Sequence, residues 1–320
     1  MEADLKAMMS PYVRREGFAL PIPAPSEAVR DFLTNSISTA TKRAYRQGLA
    51  SYENSGRSIP STPKMVAEYL AECATIKAVA TIQRSLAAIA KAHVAVGAPD
   101  PTKSEIVRAT MRGIRRSLST AQREARPILK EDLFQILERM GDGPKDVRDR
   151  ALLLLGFAGA FRRSELVGID VADIEHVRQG LVVLLKKSKT DQEARGRKIG
   201  IPHGRTRWCP VRSVTDWLDH SGVATGPVFR PVSRHCHVAA QRLSGEAVSI
   251  IVKRRAEAAG FDPAFYSGHS LRAGLATSAA MAGASTWIIR KQTGHASDAM
   301  LNRYIRDGDM FANNAAGTVL

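Results

Sequence analysis

A set of side chains in the second half of this sequence shares one kind of chemistry. Arg162 and Arg163 follow an apolar run, Ala151–Phe161, and Glu165 lies three residues beyond the first arginine. Lys189 stands in a polar turn, KKSKTDQ. His269 and Arg272 are three apart in YSGHSLRAG, a spacing that puts both on one helical face. His295 closes the tripeptide TGH, and Tyr304 follows nine residues later in NRYIRD. Each has an ordinary structural explanation: arginines after a helix bind its free carbonyls, lysines solvate turns, and a tyrosine fills a core. Taken together, two arginines, a lysine, two histidines and a tyrosine can process a phosphodiester without a metal. Guanidinium forks bind the non-bridging oxygens and the charge of a pentacoordinate transition state. Tyrosine supplies an oxygen nucleophile. Lysine protonates the leaving alkoxide, and histidine accepts the tyrosyl proton. No carboxylate cluster suited to a metal accompanies them, so no cofactor is expected.

These residues need elements that bring them together. The apolar periodicity predicts helices over Glu131–Met140, Asp146–Phe161, Ala247–Ala258, Leu271–Ala282 and Met300–Ile305, with another around Asp216. The 11-residue Ala151–Phe161 suits a buried core helix and falls short of the roughly 20 residues of a membrane span. The clear β signal is GLVVLLKK (Gly180–Lys187) and KIGIP (Lys198–Pro202), flanking a ten-residue turn, Ser188–Arg197, that carries Lys189. Nearer the N-terminus everything reads helical. Tyr45, Leu49 and Tyr52 share one face; Ser61–Thr62–Pro63 is a helix start. Ile82, Leu86, Ile89 and His93 repeat the spacing, as do Val107, Met111, Ile114 and Leu118. The expected fold is mainly α with a small antiparallel β hairpin. Residues 1–30, with Pro21, Pro23 and Pro25, read as a flexible arm. Residues 31–120 form a helical bundle, 121–128 a linker across Arg126–Pro127, and 129–320 a second domain.

Composition narrows the partners. Of 320 residues, 47 are Lys or Arg against 31 Asp or Glu, a formal net charge of +16, and 44% are hydrophobic. That balance fits a globular chain whose partner is a polyanion. No signal peptide or membrane span is expected, and three scattered cysteines suit a reducing, cytoplasmic compartment. Residues 31–130 carry 16 Lys+Arg against 7 Asp+Glu. Within them Arg108, Arg112 and Arg115 sit one place after Val107, Met111 and Ile114, so a basic stripe runs beside the buried one; Arg116 follows. Lys42 and Arg46 stand in the same relation to Tyr45 and Leu49, with Arg43 nearby. With Thr39, Thr81, Gln83 and Arg84, these are the candidate nucleic-acid contacts, although such runs also serve as solvated faces.

The order and wording of the motifs resemble the tyrosine recombinase (lambda-integrase-like) family, and within it the Cre-like members. The resemblance rests on GAFRRSEL (Gly159–Leu166), Lys189 in its hairpin, HSLR (His269–Arg272), and His295 with Tyr304 nine residues on. It extends over AVATIQRSL (78–86) and MRGIRR (111–116), and so over most of residues 30–310. It implies a site-specific recombinase that cuts and rejoins DNA through a 3′-phosphotyrosyl intermediate and a Holliday junction, without metal or ATP. It also implies a homotetramer on two sites in double-stranded DNA, at the nucleoid and away from membranes. Arg162 and Arg272 would clamp the phosphate, Glu165 would support Arg162, and His269 would serve as base or phosphate contact. His295 would be a second phosphate donor and Tyr304 the nucleophile. Lys189 would be the general acid, with Lys186 and Lys187 as alternatives, and Arg163 competes with Arg162 for the site. The helical bundle would be a core-binding domain, and the tail after Tyr304, whose ordinary reading is a frayed terminus, would dock on a neighbouring subunit. Three other readings stand beside this one. A type IB topoisomerase would relax plasmids that lack a site, and a non-catalytic DNA-binding relative would form no covalent adduct. A metal protein would use His203, Cys209, His235, Cys236 and His237, whose spacing matches no zinc site.

Overall fold

The computed structural model describes residues 26–27, 36–118, 125–186, 196–295, 297, 301–302 and 304; of Thr39 it describes the backbone alone. The chain divides into two compact units, Met1–Arg123 and Glu124–Leu320.

In the first unit the periodic apolar residues become four helices: α1 (Thr39–Glu53), α2 (Pro63–Ala74), α3 (Val79–Ala95) and α4 (Glu105–Ser117). Helix α1 packs on α3, and α2 on α4. Leu49, Tyr52, Ile82, Ile89, Val107, Met111 and Ile114 meet in one core. The start signal works as its residue types require: Thr62 Oγ1 accepts from the Met65 N–H at 3.4 Å, and Pro63 opens the helix. His93 is fully buried. Its Nδ1 lies 2.8 Å from the Ile89 carbonyl and its Nε2 accepts from the Ser61 N–H at 2.9 Å, which fixes a neutral ring protonated on Nδ1.

In the second unit α5 (Lys130–Glu138), α6 (Pro144–Ala158), α7 (Arg163–Gly168), α8 (Pro210–Ser221), α9 (Gly245–Ala258), α10 (Ser270–Met281) and α11 (Thr286–Thr293) surround a three-stranded sheet. The strands β1 (Ile174–Val177), β2 (Gly180–Leu185) and β3 (Arg197–Pro202) run antiparallel in the order 1-2-3, and the β2–β3 hairpin closes at Leu185 opposite Arg197. Strand β1 has no counterpart in the sequence reading, because IEHV is four residues long and exposes Glu175 and His176. Helix α6 is the apolar run, and Ala151 to Leu155 are all buried. It ends at Ala158, three residues before the predicted Phe161, because Gly159 caps it and Ala160 turns to a positive φ of 48°.

The predicted linker reaches into this fold. Ile128 is wholly buried in the core of the second unit. The Arg126 N–H donates to the Phe265 carbonyl at 2.7 Å, and the Ile128 N–H to the Ser270 carbonyl at 3.0 Å. Gly274 on α10 makes this approach possible: a Cβ there would lie 1.8 Å from the Ile128 carbonyl oxygen. A buried charge cluster joins α6 to α9. Asp149 is fully buried and accepts from Arg148 (Nε 2.8 Å, Nη2 2.5 Å) and from Arg255 Nε at 2.8 Å. Among the described residues no helix is long and apolar enough to cross a membrane.

Candidate active site

The turn after α6 puts Arg162 at the N-cap of α7. Its backbone N–H donates to Glu165 Oε2 at 2.9 Å, and its Nη1 to Glu165 Oε1 at 2.5 Å. Glu165 is itself buried, so one carboxylate both caps the helix and aims the guanidinium. Arg163, which the sequence left in competition, turns the other way: its Nη1 meets Glu246 Oε2 at 3.3 Å and Ser249 Oγ at 3.2 Å.

Helix α10 opens directly after His269 and buries Arg272, which is 1% exposed. Arg272 Nη1 donates to the Ala160 carbonyl at 2.8 Å and to the Thr293 carbonyl at 2.6 Å. The positive φ of Ala160 turns the backbone that supplies the first of these acceptors. Arg272 Nη2 is buried and has no hydrogen-bond partner among the described residues. A buried cationic nitrogen left open in this way is a ready place for an anionic oxygen. Burial first, and then the Arg162 guanidinium beside it, lowers Arg272 to about 10, so it stays charged at neutral pH.

Past α11 the chain turns at Gly294, φ 67°, into His295. The His295 ring is buried, with Nδ1 2.8 Å from Thr293 Oγ1. Burial, followed by the charges of Arg272, Arg162, His269 and Arg197, lowers its pKa to about 4. Its ring centroid stands 5.6 Å from that of Tyr304. The Tyr304 hydroxyl lies 2.6 Å from His269 Nε2. Leu301, one helical turn earlier, is fully buried with Ala276, Ala280 and Ile289, and that small core fixes the tyrosine. The structure thus brings Arg162, Glu165, His269, Arg272, His295 and Tyr304 to one place. Lys187 and Lys189 lie outside the described residues. Lys186 forms an ion pair with Asp173 Oδ1 at 2.5 Å, and that carboxylate raises its pKa, which makes it a poorer proton donor.

Sequence reading missed one side chain of this cluster. Arg197, at the foot of β3, donates from Nη1 to the carbonyls of Lys291 (3.0 Å) and Gln292 (3.2 Å). Burial lowers its pKa, and the charges of Glu165 and Arg162 act on it. In the sequence it was only the last residue of a polar turn.

The candidate nucleic-acid contacts occupy α1, α3 and α4. Arg43 and Arg46 are exposed on α1 and Lys42 is half-buried, while Thr39 opens the helix. Arg84 Nη2 donates to Thr81 Oγ1 at 3.1 Å. With the Gln83 amide oxygen turned towards Arg115, it accepts from Nε at 3.0 Å and Nη2 at 2.9 Å. Arg116 is exposed, whereas Arg112 pairs with Glu105, and Arg108 Nε is 3.5 Å from the same carboxylate. Elsewhere Cys209 is buried and Cys236 exposed. Among the described residues no group of three or more His, Cys, Asp or Glu is placed to hold a metal.

The profile described as "Phage integrase family" matches residues 127–310. The chain belongs to the phage integrase family. As a member it is a tyrosine site-specific recombinase, which agrees with the resemblance read from its motifs. Among curated relatives of this integrase chain, an integrase/recombinase xerD homolog of Selenomonas ruminantium is 40% identical over 263 residues, spanning 80% of this chain and 77% of that protein. Recombinase cre of Escherichia phage P1 is 28% identical over 276 residues, 80% of this chain and 79% of that one. Two solved structures share the integrase fold. Lambda integrase (75–356), a dimer bound to a COC′ core site, superposes with a TM-score of 0.63 at 19% identity, covering 87% of this chain and 92% of that one. XerH site-specific recombinase bound to a palindromic difH substrate gives 0.62 at 18%, covering 89% and 80%.

Proposed function

We propose that this recombinase exchanges DNA strands at a specific site, with Tyr304 as nucleophile. The observation that carries the reading is the 2.6 Å hydrogen bond between the Tyr304 hydroxyl and His269 Nε2, beside the open Nη2 of the buried Arg272. The scissile phosphate sits between Arg162 and Arg272, with a non-bridging oxygen on Arg272 Nη2. The Tyr304 oxygen attacks phosphorus while its proton passes to His269 Nε2, which must be unprotonated to take it. The bond from phosphorus to the 5′ oxygen breaks, and Lys189 protonates the departing oxygen. The product is a 3′-phosphotyrosyl link that keeps the energy of the phosphodiester. Attack by a 5′-hydroxyl from the partner duplex reverses the step and leaves an exchanged strand. Neutral His295 adds a hydrogen bond to the phosphate, and Glu165 holds Arg162 on target.

At the scale of the assembly, four protomers on two double-stranded sites cut and join in pairs through a Holliday junction. The first unit, residues 31–120 with an arm over 1–30, is the core-binding domain, using α1, α3 and α4 against the phosphates. Residues 129–320 form the catalytic domain, and the tail after Tyr304 docks on a neighbouring subunit. The enzyme works at the nucleoid, where its net charge of +16 favours DNA.

The test uses sites recovered by sequencing DNA fragments covalently bound to the wild-type protein. A suicide duplex carrying such a site, nicked near the cleavage point, is incubated without metal or ATP and run on a denaturing gel. The wild type forms a covalent adduct and Tyr304→Phe forms none. An adduct with Tyr304→Phe removes the tyrosine from its role. Truncation after Asp309 abolishes synapsis; if synapsis and cleavage are unchanged, tail docking is discarded.

A further inference from the structure

Arg197 has no part in the chemistry above, yet its surroundings are those of the site. An arginine opening a strand after a polar turn ordinarily reaches into water. Here Nη1 is spent on two backbone carbonyls in the last turn of α11, those of Lys291 and Gln292. The next carbonyl, that of Thr293, is the one that receives Arg272 Nη1. The next residue is Gly294, and the one after it His295. The guanidinium lies so close to Gly294 that a Cβ there would stand 2.6 Å from Arg197 Nη1 and 2.7 Å from Cζ. Helix C-terminal carbonyls attract cations, and a planar fork fixes both distance and angle in a way an ammonium does not.

We propose that Arg197 is a positioning residue for strand cleavage: by fastening the end of α11 it sets the Thr293 carbonyl that orients Arg272 and the turn that presents His295. The inference rests on the reading of Arg272 as a phosphate clamp. In this proposal Arg197 acts through Arg272 and His295 rather than on the tyrosine or the phosphate. A further hydrogen bond, from Gln292 Nε2 to the Ala158 carbonyl at 2.8 Å, keeps α11 attached when Arg197 is removed, so loss of the arginine misaligns the clamp and leaves the fold in place.

The test compares two substrates that differ at the scissile group. One is the natural phosphodiester; the other is a methylphosphonate, in which a methyl replaces one non-bridging oxygen and removes the charge that the clamp neutralises. Arg197→Ala cleaves the phosphodiester about 10²-fold more slowly than wild type, the scale of a small misplacement in an active site. On the methylphosphonate most of that deficit disappears, and Arg272→Ala shows the same relief. Equal slowing of Arg197→Ala on both substrates, with Arg272→Ala relieved, overturns the positioning role alone. Failure of relief in Arg272→Ala overturns the clamp reading on which the inference rests. Arg197→Lys covers the case in which the alanine variant melts early. It keeps a cation and loses the fork, so it shows the same substrate preference; a wild-type rate on the phosphodiester would mean that charge alone suffices, and the proposal falls.

Discussion

In the folded chain His295 is uncharged at neutral pH. An ordinary histidine titrates near 6.5, and this one near 4, because it is buried among guanidiniums. Between those values the unfolded chain binds the extra proton and the folded chain does not, so stability falls as pH drops from about 6.5 towards 4, by up to roughly 3 kcal/mol. Urea denaturation of wild type and His295→Gln across that range should show the slope in the first and its loss in the second. Glu165 makes a different prediction. Removing it in Glu165→Ala takes away the cap of α7 and the partner of Arg162, and cleavage should fall about 10²-fold while the first unit melts unchanged, as followed by suicide-substrate kinetics and calorimetry. The residues of this site were legible in the sequence where their type was unusual for their setting: guanidiniums and imidazoles beside buried helices. What stayed hidden was backbone. The Ala160 and Thr293 carbonyls that hold Arg272 leave no mark in residue type, and Arg197 could not be told from a turn arginine until its acceptors were visible. Arg162 and Arg163 are adjacent and alike in type, and only their partners in the fold, Glu165 for the first and Glu246 and Ser249 for the second, separate them.

At the scale of elements, periodicity located most of the described helices, and their ends less well. It gave none over α7 or α11, and its Met300–Ile305 helix lies largely outside the described residues. Thr62 and Pro63 marked the start of α2 correctly because a cap is a local device; Thr62→Ala should cost about 1 kcal/mol, measured by thermal melting of the first unit's transition. The end of α6 was drawn too far because apolar residues continue past the point where Ala160 turns the chain, and hydrophobicity does not report φ. Strand β1 was missed because a short edge strand with exposed Glu175 and His176 has little alternation to read. The join between α6 and α9 was illegible for another reason: Asp149 looks like a surface residue in the sequence, and only the fold surrounds it with Arg148, Arg254 and Arg255. Asp149→Ala leaves Arg148 buried without its carboxylate and should destabilise the second unit by about 3–5 kcal/mol in chemical denaturation.

For the whole molecule, charge sets how it finds DNA. With +16 overall, affinity for any duplex should fall steeply with salt, and a phosphate-contacting side chain should reveal itself in the slope. Arg43→Ala should lower the log–log salt slope by about one, read by fluorescence anisotropy, whereas Arg112→Ala should change it less because Glu105 already occupies that guanidinium. The seam where the entering chain lies against α10 has a use in genetics. Gly274→Ala pushes Ile128 off the helix that carries Arg272, and overpacking of this kind costs about 1–3 kcal/mol, a large part of a marginal stability. A strain carrying that allele should recombine in a cool culture and stop in a warm one. Position 274 thereby becomes a thermostat for DNA rearrangement, set by a single methyl group.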